Sequence, residues 1–168
     1  SEKSERSAER TEMLWLKVVI ACAIIAFSVG LGYLAANKYR CRRAFFRQMH
    51  DFNERYLSEL DYARKPLPVF LKEYPASGDF RKTLDAFAQT RTAELKYSYL
   101  TQEEKKECGD YFSMLGRGDA QSQSGYFGAR REPLGERKAA CEKEAKARSE
   151  LYLKLGLLGG LAFVILII

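Results

Sequence analysis

The stretch LYLKLGLLGGLAFVILII, residues 151–168, contains one charge, Lys154, in an otherwise apolar run that also holds Tyr152. At about 1.5 Å per residue, a helix of this length rises roughly 27 Å, close to the roughly 30 Å hydrocarbon core of a bilayer. Such a run is unfavourable in water, and Lys154 near its start can extend to the lipid interface. Residues 151–168 are therefore predicted to be a transmembrane helix.

A second apolar run, VVIACAIIAFSVGLGYLAA at residues 18–36, has no charge and is bordered by Trp15 and Tyr33. Aromatic residues of this kind are enriched at membrane interfaces, so residues 13–36 are predicted to be a first transmembrane helix. A cleaved signal peptide is the competing interpretation. It is disfavoured because its apolar stretch is usually about 7–15 residues long and ends in a small-residue cleavage site.

Basic residues border the segment between the two runs. The motif RCRR at residues 40–43 follows the first run, and Lys146 and Arg148 precede the second. By the positive-inside rule, residues 37–150 are predicted to be cytoplasmic, with the polar tail 1–12 on the other side of a cell membrane. The chain has a net charge of +6, but its cations alternate with acids, which favours contact with anionic lipid rather than nucleic acid.

The first part of the middle segment has the periodicity of a helix. An apolar stripe with spacings of three and four residues is formed by Phe45, Met49, Phe52, Tyr56 and Leu60. Pro66 and Pro68 are predicted to end this helix and start a short second one, which Pro75 closes. Asp79 is predicted to be the N-cap of a third helix.

The second part of the middle segment also carries helix signals. Thr101 and Glu104 form a capping-box pattern that opens a fourth helix, which ends at Gly116. Asp119 is predicted to cap a fifth helix, which the glycine-rich stretch 125–135 weakens or interrupts. A sixth helix then leads into the second span. Since no stretch alternates like a strand, the fold class is all-α: a bundle of about six helices between two transmembrane helices.

Both predicted spans carry small residues four positions apart, which let helices approach closely in lipid. They are Cys22, Ala26 and Gly30 in the first span, and Gly156 and Gly160 in the second. The two faces can pair with each other or with a partner's helices, including those of a second copy in a homo-oligomer. The sequence does not choose between these arrangements.

Residues with catalytic or metal-binding chemistry are few. His50 is the only histidine and stands beside Asp51, but neighbouring helix residues point about 100° apart, which favours a solvated surface histidine. The cysteines at positions 22, 41, 108 and 141 include no CxxC pair. We therefore predict no catalytic residue, cofactor or metal, and free thiols. A small membrane-tethered enzyme or metal protein using His50 and the cysteines is the alternative from a different class.

The stretch MLGRGDAQSQ, together with PLPVFL and the apolar end of the chain, resembles the stage III sporulation protein AB family of endospore-forming bacteria. In that family a Leu-Gly-x-x-Asp-x-x-x-Gln corner precedes a long helix that leads into a Leu-Gly-x-x-x-Gly end. The matching positions in this chain are Leu115, Gly116, Asp119, Gln123, Leu155, Gly156 and Gly160. Gly116 can form a tight C-cap, and the Gln123 side chain can bond back to the turn.

The resemblance implies a function that residue spacing alone does not. Members of the family belong to the complex between mother cell and forespore, in the mother-cell membrane facing the forespore. Their cytoplasmic domain is similar to the platform domains of type II secretion and type IV pilus machines. The expected function is a non-enzymatic platform that couples a cytoplasmic secretion-type ATPase to the other membrane proteins of the stage III complex. A generic two-span adaptor that binds membrane lipid is the alternative.

Overall fold

The computed structural model describes residues 2–167, and side chains from Arg6 onward. Ser1, the first residue of the predicted tail, and Ile168, the last residue of the predicted second span, lie outside the described residues. The elements in chain order are α1 (Glu2–Ser58), a π-helical segment (Glu59–Ala63), α2 (Leu67–Glu73), α3 (Gly78–Thr90), α4 (Gln102–Met114), α5 (Ala120–Ala129) and α6 (Arg131–Ile167).

The all-α fold class is confirmed, since the described residues contain no strand. The helix count differs slightly from the predicted six. The stretches Arg6–Ala63 and Ala120–Ile167 each form nearly continuous helix, which leaves five helices when each stretch is counted once. The expected interruption in the glycine-rich stretch is a single turn residue, Arg130, and α5 runs through Gly125 and Gly128 to Ala129.

The chain divides into two compact units, which we describe separately. One unit, here called the bundle, is Lys38–Glu144. The other, here called the hairpin, consists of Ser1–Asn37 and Ala145–Ile168, of which residues 2–37 and 145–167 are described. Among the described residues, two helical stretches, Arg6–Ala63 and Ala120–Ile167, are long and apolar enough to cross a membrane, and 6% of the apolar window of each is buried.

The bundle is built around the apolar stripe of α1. Phe52 is fully buried, and its ring centroid lies 5.4 Å from that of Phe70, 5.1 Å from Tyr74 and 5.8 Å from Phe80. Edge-on and tilted ring contacts of this kind add to the stabilisation that burial itself provides. The residues that the sequence spaces four and three positions apart thus place α1 at the centre of an aromatic core.

The end of α1 is set by backbone chemistry. The helix widens into the π-helical segment, and Arg64 adopts a left-handed conformation with φ 47° and donates its N–H to the Glu59 carbonyl. Pro66 is the N-cap of α2 and Pro68 occupies its first turn, where a missing N–H does no harm. The two prolines therefore separate the helices as predicted.

The predicted cap of the third helix is wrong. Ser77, in an extended conformation, is the N-cap residue of α3, and Asp79 lies inside the first turn. The carboxylate of Asp79 instead accepts from the Tyr99 hydroxyl at 2.8 Å and from Lys82 Nζ at 3.1 Å. The Asp79 side chain, which local spacing predicted to be a cap, therefore binds a residue of a later loop instead.

Candidate functional site

The corner between α4 and α5, here called the helical corner (Met114–Gln123), is held by one buried amide. Gln123 Oε1 accepts the Gly116 N–H at 3.1 Å. Its Nε2 donates to the Met114 carbonyl at 3.0 Å and also to the Arg117 carbonyl. The last carbonyls of a helix have no partner inside the helix, so this side chain satisfies groups that would otherwise be buried and unpaired.

The backbone of the corner requires its glycines. Gly116 and Gly118 have φ values of +74° and +83°, a region that side-chain-bearing residues rarely adopt. A Cβ at Gly116 would also lie 2.7 Å from Leu67 Cδ2. Leu115 is buried just before this turn. The glycine therefore permits both the turn and the close packing of α2 against it.

Asp119 begins α5 as its N-cap, as predicted. Its Oδ1 accepts the Ser122 N–H at 2.9 Å. Hydrogen bonds from the Ser122 side chain and backbone N–H hold the pKa of the Asp119 carboxyl below its usual range. The charge is favourable at the positive end of the helix dipole.

A buried polar chain joins the helical corner to α1. Tyr56 donates its hydroxyl hydrogen to Gln123 Oε1 at 2.5 Å, and burial raises the pKa of Tyr56. One turn earlier, Asn53 donates to the Phe127 carbonyl at 3.1 Å and accepts from the Tyr111 hydroxyl at 3.0 Å. The sequence analysis did not identify Asn53. Its only signal is a polar residue one position after Phe52, on the apolar side of α1.

In the hairpin, Gly156 and Gly160 lie where α6 meets α1. A Cβ at Gly156 would lie 2.7 Å from the Ser28 carbonyl oxygen, and one at Gly160 would lie 3.1 Å from Ile25 Cα. On the α1 side, a Cβ at Gly32 would lie 2.5 Å from the Tyr152 carbonyl oxygen. The glycine face of the second span is therefore packed against the first span of the same chain.

The predicted face of the first span is a different one. Cys22, Ala26 and Gly30 are exposed, and a Cβ at Gly30 would have no atom within 4 Å. The residues of α1 that meet α6, among them Ile25, Ser28 and Gly32, lie on another side of the helix. Of the arrangements that the sequence left open, the structure therefore does not show Cys22, Ala26 and Gly30 paired with the glycines of α6.

Comparison with known proteins identifies the family. A sequence model of stage III sporulation protein AB matches residues 76–168, more than half of the chain. The match contains the helical corner and both glycines, Gly156 and Gly160. The chain belongs to the stage III sporulation protein AB family. Comparisons with curated proteins and with solved structures give no match.

This stage III sporulation protein AB family member also has an ion network within the bundle. Arg42 of α1 pairs with Glu104 and with Glu144. Arg137 of α6 contacts Glu104 at 3.0 Å and Glu107 at 2.7 Å. The buried carboxylate of Glu104 therefore joins three helices. From the sequence, Glu104 was predicted only as the second residue of a capping box.

The protonation of Glu104 affects stability. Burial alone would raise its pKa, but the Arg42 hydrogen bond and the bond from the Thr101 N–H hold the pKa below the usual value. A carboxyl with a lowered folded-state pKa stabilises the fold above its unfolded-state pKa. That stabilisation is lost as the pH falls through the lowered pKa of the folded state.

The candidate catalytic residues do not gather into a site. His50 Nδ1 lies 3.1 Å from Asp51 Oδ1, and Lys138 Nζ lies 3.2 Å from the same oxygen, so that the carboxylate is shared with a cation. Cys108 is buried with its Sγ 3.7 Å from Met49 Sδ, and burial raises its pKa to about 12. Within residues 6–167 no three His, Cys, Asp or Glu side chains lie close enough to hold a metal.

Proposed function

We propose that this sporulation protein is a non-enzymatic membrane platform subunit of the complex between mother cell and forespore. The observation that carries the proposal is the family match over residues 76–168, which includes the helical corner and the glycine contact of the hairpin. The proposed role of the bundle is to contact a cytoplasmic secretion-type ATPase and to couple it to the membrane proteins of the stage III complex.

The physical character of the two units supports this proposal. The hairpin exposes large apolar side chains, among them Trp15, Phe27 and Phe163, each at least 60% exposed. Lipid is a suitable solvent for such a surface and water is not. The bundle encloses an aromatic core and presents charged side chains to solvent, which suits a domain that makes contacts with other proteins.

The proposed topology places the bundle in the mother-cell cytoplasm. We expect a cysteine at exposed Ser7 to react with an impermeant maleimide in intact cells, and a cysteine at exposed Lys106 to react only after lysis. Native Cys108 cannot serve as the inside reference, because it is buried on either side of the membrane. Exposed Cys22 is replaced by Ala in both variants. Labelling of Lys106→Cys in intact cells would show that the bundle lies outside the cytoplasm. That result would contradict the proposed topology and exclude contact with a cytoplasmic ATPase.

Assembly is tested by crosslinking in sporulating cells, followed by purification of the tagged chain. The secretion-type ATPase and other stage III membrane proteins are expected to copurify. An unrelated tagged two-span membrane protein, expressed at the same level, controls for recovery of membrane neighbours. A second, differently tagged copy of the chain in the same cells reports whether it forms a homo-oligomer. Recovery of stage III membrane proteins without the ATPase would contradict the coupling role and support the alternative function, a membrane adaptor.

A further inference from the structure

A pocket of about 220 Å³ opens in the bundle where α1 ends beside the helical corner. Its walls include the apolar side chains of Leu60, Leu67 and Phe70 and the backbone of Gly116 and Gly118. Both sides are set by conformations already described: the π-helical end of α1 and the left-handed glycines of the corner. A concave apolar site with defined walls can take up a single large side chain.

A buried carboxylate forms part of the pocket wall. The Glu59 side chain is 8% exposed, and its Oε1 lies 3.6 Å from Arg55 Nη2. The other oxygen, Oε2, is buried and has no hydrogen-bond donor among the described residues. An unpaired buried polar atom is costly, and π-helical segments such as the one that Glu59 begins are frequent at functional sites. Because Glu59 lines the pocket, a molecule bound there can supply the missing donor.

One arginine lines the pocket, and two more lie next to the glycines of its wall in space or in the chain. Arg64 lines it, Arg117 follows Gly116 directly, and Arg91 Nη1 lies 3.9 Å from the position of a Cβ at Gly116. None of the three has a carboxylate within 4 Å in the part of the chain that the structure describes. Guanidinium groups left without acidic partners attract carboxylates from a binding partner.

The other charges near the pocket are already engaged. Lys65 is paired with Glu73 at 2.7 Å. The Asp119 carboxylate caps α5, and Asp61 Oδ1 lies 3.4 Å from the Ser124 hydroxyl. The three arginines are therefore the cations near this pocket that have no ionic partner in the described part of the chain and can pair with a partner's carboxylates.

We propose that this pocket docks an aromatic side chain with a hydrogen-bond donor, such as tyrosine, carried on an acidic segment of a partner protein. The apolar walls receive the ring, the donor reaches the Glu59 carboxylate, and the flanking carboxylates meet the arginines. The proposal deepens the proposed function and rests on it, because it names the surface of the bundle that a partner subunit would contact.

The test measures binding of defined peptides to the full chain in detergent micelles by fluorescence anisotropy. The probe is a short peptide with one central tyrosine and aspartate and glutamate on both sides. Replacing the tyrosine by phenylalanine should weaken binding about tenfold, because the donor is lost. Replacing it by alanine should weaken binding about 100-fold or abolish it. Lysine flanks in place of the acids should also abolish it.

Two matched variants assign the binding to this pocket. Arg64→Glu with Arg117→Glu should abolish binding, whereas Arg47→Glu with Lys106→Glu should not, since that pair makes the same charge change away from the pocket. Glu59→Met should remove the preference for tyrosine over phenylalanine. The peptide series on the unmodified chain remains decisive if a variant fails to fold.

The proposal is overturned if no peptide binds, or if the alanine and tyrosine peptides bind equally. Equal binding of the alanine and tyrosine peptides would mean that the arginines form a general anion-binding surface, for lipid or nucleic acid. Equal binding of the phenylalanine peptide would remove Glu59 from the site and also contradict the proposal. These outcomes are separate from the crosslinking result: the ATPase can copurify through another surface, and the pocket can bind its peptide when the ATPase is not recovered.

Discussion

The bundle and the hairpin are held together by opposite kinds of side chain. In the bundle, Phe52, Phe80 and Phe112 are fully buried among other rings. In the hairpin, the contact is made by glycines, and Gly156 brings α6 against the backbone of Ser28. Large side chains such as Phe163 point away from the contact and are exposed.

The difference reflects the solvent that each unit is suited to. In water, burial of apolar area drives folding, so that the largest side chains belong inside. In lipid there is no such force between helices, and close backbone packing through small residues replaces it. Side-chain size inside and outside the contact therefore distinguishes the two units without reference to the family.

The largest expected effect comes from removing a ring of the bundle core. Phe52→Ala should cost about 3–5 kcal/mol of unfolding free energy, because it leaves a cavity among Phe70, Tyr74 and Phe80. Urea unfolding of the full chain in micelles, followed by near-ultraviolet circular dichroism, measures it. Phe163→Ala makes the same change on the exposed face of the hairpin and should leave the transition in place. Equal losses in both variants would contradict the contrast between the units.

The second effect comes from enlarging side chains, because added atoms should separate the two helices of the hairpin. Gly156→Ala with Gly160→Ala places methyl groups 2.7 Å and 3.1 Å from the backbone of α1, so the helices must separate. Spin labels on exposed Phe27 and Leu157 should report a longer distance, and sporulation should be lost. Gly159→Ala, where a Cβ meets nothing within 4 Å, is the control and should change neither. An unchanged label distance in the double variant would show that the contact is not close.

A smaller effect is expected at the helical corner. Gln123→Ala leaves the Gly116 N–H, the Met114 carbonyl and the Tyr56 hydroxyl without their partner and should cost about 1–3 kcal/mol. Gln121→Ala removes the same side chain from an exposed position two residues earlier and should lie within about 0.5 kcal/mol of the unmodified protein. The same urea transition measures both. Comparable stability of the two variants would mean that water replaces the amide.

The smallest effect is expected at Asp119. Asp119→Ala should lower the unfolding midpoint less than Gln123→Ala does, and Asp119→Asn should lower it less still, because the amide oxygen continues to cap α5. Sporulation should follow stability in this order. If both variants fail to sporulate while their unfolding midpoints are unchanged, Asp119 contacts a partner in addition to capping the helix.

Local signals predicted much of the bundle. The spacing of Met49, Phe52 and Tyr56 depends only on helix geometry, and each of these residues is buried in the core. The capping box of Thr101 with Glu104 is likewise formed by residues three positions apart, and both of its bonds are present. A prediction of this kind holds when every group that it needs lies within one turn.

The failures involve groups that are distant in the sequence. Asp79 does not cap α3 because its carboxylate binds Tyr99, which lies beyond the end of that helix. The sequence also left open what the small face of the first span meets, because local spacing does not rank two such faces. In the structure Gly32, and not Gly30, makes the close approach to α6. Nothing near Asn53 in the sequence reveals that its amide bonds to the Phe127 carbonyl.

The distance between Asn53 and Phe127 has a consequence for biosynthesis. The two residues are separated by 74 positions, so the stripe on α1 leaves the ribosome long before the helix that covers it. At about 5–20 residues per second, the delay is roughly 4–15 s. During that interval Phe52 and Tyr56 are unprotected on a helix that joins the first apolar run. The nascent chain therefore needs shelter from aggregation until α5 has been synthesised.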